Sequence, residues 1–101
     1  MLEQVEKVII ITERIIISKI ITYLEFLEIR AYTIYNDVSG KGQRGMRSIS
    51  GGLSRFGDNI RIEIIIDDEE KAEEVAEKVY NKYFSSRYAG IVYLEKIRVV
   101  K

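Results

Sequence analysis

The chain has 101 residues, 47% of them apolar and 32% charged, with a formal net charge of zero. That length fits one small globular domain spanning residues 1–101, and zero net charge supplies no overall field to draw nucleic acid or a membrane surface. The chain has neither cysteine nor histidine, which excludes disulfides, thiol nucleophiles, zinc–thiolate sites and imidazole bases.

The N-terminal Met-Leu-Glu-Gln-Val-Glu-Lys does not read as a signal peptide, and the runs Ile9–Ile11 and Ile15–Ile17 are too short to span a bilayer. The expectation is a cytoplasmic protein. Val8 to Ile11 is a β-branched run and predicts a strand. Thr12 then has the chemistry of an N-cap, with Glu13 in the first turn. Ile16, Ile20, Tyr23 or Leu24, and Leu27 recur at helical spacing, so the pattern predicts a helix from Glu13 to Glu28. The competing reading is a hairpin of Ile9–Ile11 against Ile15–Ile17. Its connecting Thr-Glu-Arg is poor turn chemistry, which favours the helix.

Arg30 to Asp37 predicts a second strand that runs into a Gly-rich loop over about 38–58. Asn59 to Ile66 predicts a third, with Ile60, Ile62, Ile64 and Ile66 on one face and Arg61, Glu63 and Ile65 on the other. Asp67 and Glu70 then resemble a capping box. Ala72, Val75, Ala76, Val79, Tyr80 and Tyr83 form the apolar stripe of a second helix. A loop over about 85–90 follows, and Ile91 to Val100 predicts the last strand.

The order is βαβ, loop, βαβ. It predicts an α+β, ferredoxin-like βαββαβ sandwich with both helices on one face of a four-stranded sheet. Tyr32, Ile34 and Tyr35, then Val92, Tyr93, Leu94, Ile97, Val99 and Val100, put apolar groups on both faces of the second and fourth strands. An uncovered apolar face predicts packing between subunits.

The chemistry concentrates in Ser39 to Gly57. Six of the seven glycines fall there, with Lys41, Arg44, Arg47, Arg55 and no acid. Glycine lets backbone N–H groups turn toward a ligand, and arginine presents a fork that matches phosphate. The segment therefore reads as an anion site, or else as a solvated, mobile basic loop. Gly-x-x-x-x-Gly-Lys-Ser/Thr is absent, so this is not a P-loop. The Gly40-Lys-Gly-Gln-Arg-Gly run opens no predicted helix, so it is not a dinucleotide fingerprint. Asp67-Asp-Glu-Glu suits a capped helix start better than a Mg²⁺ or Ca²⁺ site. Interleaved Tyr and Arg lack the aromatic motif of an RNA-binding sheet, so no nucleic-acid partner is expected.

Four stretches carry a family likeness that extends over nearly the whole chain. They are Val8-Ile-Ile-Ile-Thr-Glu, Ala31-Tyr-Thr-Ile, Gly40-Lys-Gly-Gln-Arg-Gly-Met-Arg-Ser and Tyr88-Ala-Gly-Ile-Val-Tyr. The chain resembles PII-like signalling proteins of the GlnB-like superfamily, most closely the SbtB type. The resemblance implies a homotrimer that binds adenine nucleotides (AMP, cAMP, ADP or ATP) in clefts between subunits. In that family the T-loop, here about 38–58, supplies arginines to phosphate, and the B-loop, here about 85–90, supplies main-chain contacts. Carried over, Lys41, Gly42, Arg44 and Arg47 approach the phosphates, with Ser48 as a hydroxyl donor. Tyr88, Ala89, Gly90 and Ile91 form the B-loop contact, and Thr33 lies near the base. The implied role is regulation of a membrane partner, typically a bicarbonate transporter, through the T-loop. The nucleotide is then a regulatory ligand, with no obligatory cofactor and no catalytic residue.

Some members carry a cysteine-bearing C-terminal loop linked to nucleotide hydrolysis; this sequence ends at Lys101 without it, so that activity is not carried over. Ser50-Gly-Gly-Leu-Ser-Arg is this chain's own T-loop sequence. The alternatives weighed are a CutA-like structural or metal-tolerance trimer without a nucleotide site, and a small hydrolase of the bound nucleotide.

Overall fold

A computed structural model describes residues 1–38 and 59–101. The phosphate-gripping residues expected in the Gly-rich segment, Lys41, Gly42, Arg44, Arg47 and Ser48, lie outside the described residues. The elements are β1 (Leu2–Glu13), α1 (Ile17–Phe26), β2 (Thr33–Val38), β3 (Asn59–Ile66), α2 (Glu69–Val79) and β4 (Gly90–Val100). They form a four-stranded sheet in the order β2-β3-β1-β4, with every neighbouring pair antiparallel. This is the expected ferredoxin-like sandwich.

β1 is central and far longer than the predicted Val8–Ile11. It pairs with β3 from Glu6 to Glu13 and with β4 from Leu2 to Thr12. Val5, Val8, Ile9 and Ile10 are all buried, so the strand is covered on both faces. Val8 and Ile10 point toward the helices and join Ile60, Ile62, Ile64 and Ile66 of β3 in the main core. Alternation therefore places Arg61, Glu63 and Ile65 on the other face, as their spacing predicts.

The first helix starts later than expected. Thr12 is not its N-cap: it is a fully buried strand residue in register with Ile60 and Gly90. A 3₁₀ turn, Arg14–Ile16, follows β1, and Ile16 at the N-cap supplies no side-chain hydrogen bond. Ile20 and Leu24, one turn apart, bury the helix face. At its end, Ile29 N–H donates to Leu24 O at 2.8 Å and Glu28 N–H to Glu25 O at 2.9 Å. That pair of bonds is a Schellman cap, and the C′ position is Glu28 at φ 67°.

The second helix is capped by Asp68 rather than Asp67. The Asp68 carboxylate accepts from Glu70 N–H at 3.1 Å, and Glu69 and Glu70 occupy the dipole-favoured first turn. Ala72, Val75, Ala76 and Val79 are its buried stripe. Its end passes into a π-type turn, Tyr80–Phe84, which carries Tyr83 and Phe84 into the core. At the start of α2, Lys96 bridges Glu69 at 2.7 Å and the buried Glu6 at 3.3 Å. Hydrogen bonds to Glu69, then to Glu6, raise the Lys96 ammonium above its ordinary pKa.

The face without helices is not uniformly apolar. Arg61 pairs with Glu63 at 2.6 Å, Lys7 reaches Glu95 at 3.4 Å, and Tyr35 OH donates to Glu63 at 3.4 Å. These charges sit over β1 and β3. Half-exposed Tyr93, Ile97 and Val99 line the β4 side, and Ile65 is 50% exposed.

Glu28 pays a left-handed penalty that glycine avoids, offset in part by the greater freedom of glycine in the unfolded chain. Glu28→Gly should therefore raise stability by up to about 1 kcal/mol in urea denaturation. A loss of stability would show that the Glu28 side chain holds the turn.

Candidate functional site: one end of the sheet

The register brings two connections to the same end of the sheet. Val38, where the Gly-rich segment begins, pairs with Asn59, where it ends, and Asn59 pairs with Glu13 of β1. One position back along β1, Thr12 pairs with Gly90 at the start of β4. Residues 85–90 therefore approach the sheet end from which segment 39–58 departs. β2 and β4 are opposite edges, about 14 Å apart over three strand spacings.

The turn before β4 is fixed from three sides. Thr12 Oγ1 donates to Ala89 O at 2.7 Å, joining residues 77 positions apart. Tyr88 N–H donates to Tyr83 O at 2.9 Å, and Ser85 N–H to Tyr80 O at 3.0 Å. Gly90 packs on the Phe84 ring so closely that a Cβ there would stand 2.4 Å from Phe84 Cε1. Phe84 is 3% exposed, so its ring has little room to yield.

Tyr83 ties this turn to α1. Its hydroxyl donates to Lys19 O at 3.0 Å, and its ring meets Tyr23 edge-on with centroids 5.8 Å apart. Burial, followed by the neighbouring Tyr23 and Tyr88, raises the Tyr83 phenol above its ordinary pKa of 10.0. The phenol therefore stays protonated, as a donor must, at neutral pH. Lys19 Nζ donates to Tyr88 OH at 3.3 Å.

Of the sequence-predicted residues, Tyr88, Ala89, Gly90 and Ile91 lie together at this sheet end, all half-buried. Thr33 does not join them within one subunit. It is an exposed residue at the start of the edge strand β2, paired with Glu63. Five positions separate it from Val38, about 16 Å of strand. Sequence reasoning missed Thr12, Tyr83 and Phe84 as supports of the turn. Thr12 was legible as a polar residue ending a β-branched run, but its partner 77 residues on was not.

The nitrogen regulatory protein P-II family model matches residues 5–101. The chain belongs to the P-II family. Among solved structures, this PII chain is 32% identical to a PII-like signaling protein from Thermus thermophilus. That match covers 98% of this chain and 92% of the other, with a TM-score of 0.72. It is 25% identical to CPII from Thiomonas intermedia, a nitrogen regulatory PII-like protein solved with ADP, AMP and bicarbonate. Coverage there is 99% of both chains, with a TM-score of 0.76. The Bacillus subtilis GlnK–ATP complex, at 24% identity, covers 93% of this chain and 82% of that one with a TM-score of 0.60, a likeness of fold. Membership of the PII family selects a signalling protein over the CutA-like reading.

Gly90→Ala should destabilise the fold by about 1–3 kcal/mol, the range for overpacking a filled core. Phe84→Leu in the same chain should return part of that loss by making room for the methyl group. Thermal denaturation of the three proteins checks this, and an unchanged melting temperature in Gly90→Ala would show that Phe84 moves freely.

Proposed function

We propose that this PII protein senses adenine nucleotides in clefts between the subunits of a homotrimer. AMP, cAMP, ADP and ATP are the candidate regulatory ligands. The observation that carries the reading is the convergence of both stems of segment 38–58, the T-loop, and of the B-loop at one end of the sheet. The presence of ADP and AMP in CPII supports the ligand class.

In this reading Arg44 and Arg47 grip the phosphates, with Lys41 adding charge, Gly42 giving close backbone approach and Ser48 donating a hydroxyl. Main-chain groups of Tyr88, Ala89, Gly90 and Ile91 complete the cleft. Thr33, distant within one subunit, contributes from a neighbouring one. The sheet face that no helix covers is the surface on which the subunits pack. It offers apolar area along β4 beside the Lys7, Arg61, Glu63 and Glu95 charges, whose pairing within the subunit lowers the penalty of burying them.

Nucleotide state then sets the conformation of the T-loop, which engages a partner. By resemblance to the SbtB type, that partner is a membrane transporter such as a bicarbonate transporter. The protein acts in the cytoplasm as a regulator, not an enzyme, is recruited to the membrane by its partner, and has no nucleic-acid partner. Among the described residues no helix is long and apolar enough to cross a membrane.

Each arginine–phosphate contact is worth on the order of 1.5–3 kcal/mol. Arg44→Ala or Arg47→Ala should weaken nucleotide binding by roughly 10- to 100-fold. Arg55→Ala should have little effect, and lysine should not fully replace either arginine because an ammonium presents no fork. Equal, small losses from all three alanine variants would reduce the loop to diffuse positive charge.

A further inference from the structure

A groove of about 640 Å³ runs along the helical side, between α1 and the turn that follows α2. Among the described residues its lining holds three cations, Lys19, Lys82 and Arg87, and no acid. Aromatic rings make up its apolar part: Tyr23 and Phe26 from α1, then Tyr83 and Tyr88. Phe26 is 77% exposed at its rim. Apolar rings with a few placed charges are the make-up of a binding groove.

The cations are held in place without being neutralised by any of the described residues. Lys82 Nζ lies 4.9 Å from the Tyr23 ring centroid and 5.9 Å from that of Tyr83. Lys19 Nζ sits 5.7 Å from the Tyr88 ring, and the Arg87 guanidinium 6.0 Å from the same ring. Lys19 gives one N–H to the uncharged Tyr88 hydroxyl, and the ring contacts of Lys82 and Arg87 leave their N–H donors unspent. None of the three pairs with a carboxylate among the described residues. Elsewhere the chain pairs its lysines readily, as at Lys7, Lys78, Lys96 and Lys101. The groove thus concentrates unpaired positive charge beside an exposed apolar ring.

We infer that this groove docks an acidic segment of a partner protein, one that alternates carboxylates with aromatic or aliphatic anchors. The carboxylates meet Lys19, Lys82 and Arg87, and an anchor packs against Phe26 and Tyr23. The rings favour a segment with apolar anchors over a simple anion, because a free anion leaves Phe26 in water. The surface lies on the helical side, opposite the sheet face proposed for subunit packing. Tyr88 belongs both to the groove wall and to the B-loop, which joins partner docking to the sheet end described above.

The test is calorimetric titration of the nucleotide-free protein at low salt. The probe is a short synthetic peptide in which Glu alternates with Leu and Phe. A copy with Gln for every Glu and vesicles of phosphatidylglycerol with phosphatidylcholine are titrated alongside. The Glu peptide should bind saturably and the Gln copy should not. Lys82→Glu and Arg87→Glu should each weaken binding by about tenfold, and Phe26→Ser should weaken it through loss of the anchor. Arg98→Glu, an equal charge change on exposed β4, should leave it intact. Unchanged melting temperatures keep loss of fold from imitating loss of binding, and Lys82→Gln supplies a milder variant where the reversal unfolds. No binding of the Glu peptide, equal binding of the Gln copy, equal losses from Arg98→Glu, or binding of the anionic vesicles alone would overturn the inference. Because nucleotide is absent throughout, failure here leaves the nucleotide reading untouched.

Discussion

The hydrogen bond from Thr12 to the Ala89 carbonyl joins the central strand to the turn on which the proposed cleft depends. It is short, at 2.7 Å, and the Thr12 residue is fully buried. Without it, the Ala89 carbonyl loses its partner beside the core, a loss of about 1–3 kcal/mol if no water replaces it. Its larger consequence is positional. It fixes the backbone just before Gly90, and Gly90 in turn allows the chain to cross the Phe84 ring closely enough to enter β4 beside β1. The B-loop is therefore set by the same strand whose other neighbour, β3, receives the chain as it leaves the Gly-rich segment.

The two faces of the sheet serve different ends. The helical face closes the core with isoleucine from β1 and β3 and with small or branched residues from α2. The small alanines let α2 lie close to the sheet. The opposite face combines a fully buried Ile9 with the ion pairs of Lys7, Arg61, Glu63 and Glu95. Arg61 Nε is buried there without a hydrogen-bond partner among the described residues. The sequence predicts Arg61 and Glu63 on an otherwise apolar face, and Lys7 and Glu95 add to its charge. Paired charges give an interface register and partner selectivity more than raw affinity.

Much of the architecture was legible because it rests on local periodicity. The alternation of Ile60, Ile62, Ile64 and Ile66 identified the inner face of β3, and the Ala72–Val79 stripe identified α2. The errors fall where a distant partner decides. Thr12 has cap chemistry, yet its hydroxyl serves Ala89 and its backbone serves β3 and β4, so the strand continues and α1 starts late. The charged residues before Val8 hid the length of β1, which is set by ladders on both sides. Glu28 gave no sign of a left-handed turn, because only the Schellman bonds require it. Asp67 and Asp68 are equivalent in composition, and the extended backbone at Asp68 decides which one caps. Within the site, Gly90 marked the B-loop turn. The Phe84 ring that makes glycine necessary there was visible only in three dimensions.

The central claim is that adenine nucleotide occupies a cleft assembled at the T-loop and B-loop end of the sheet. Isothermal titration calorimetry of the nucleotide-free wild-type protein with AMP, cAMP, ADP and ATP tests it most directly. Saturable binding of at least one of the four, approaching one nucleotide per chain, is the predicted result. No saturable heat with any of them would contradict the account.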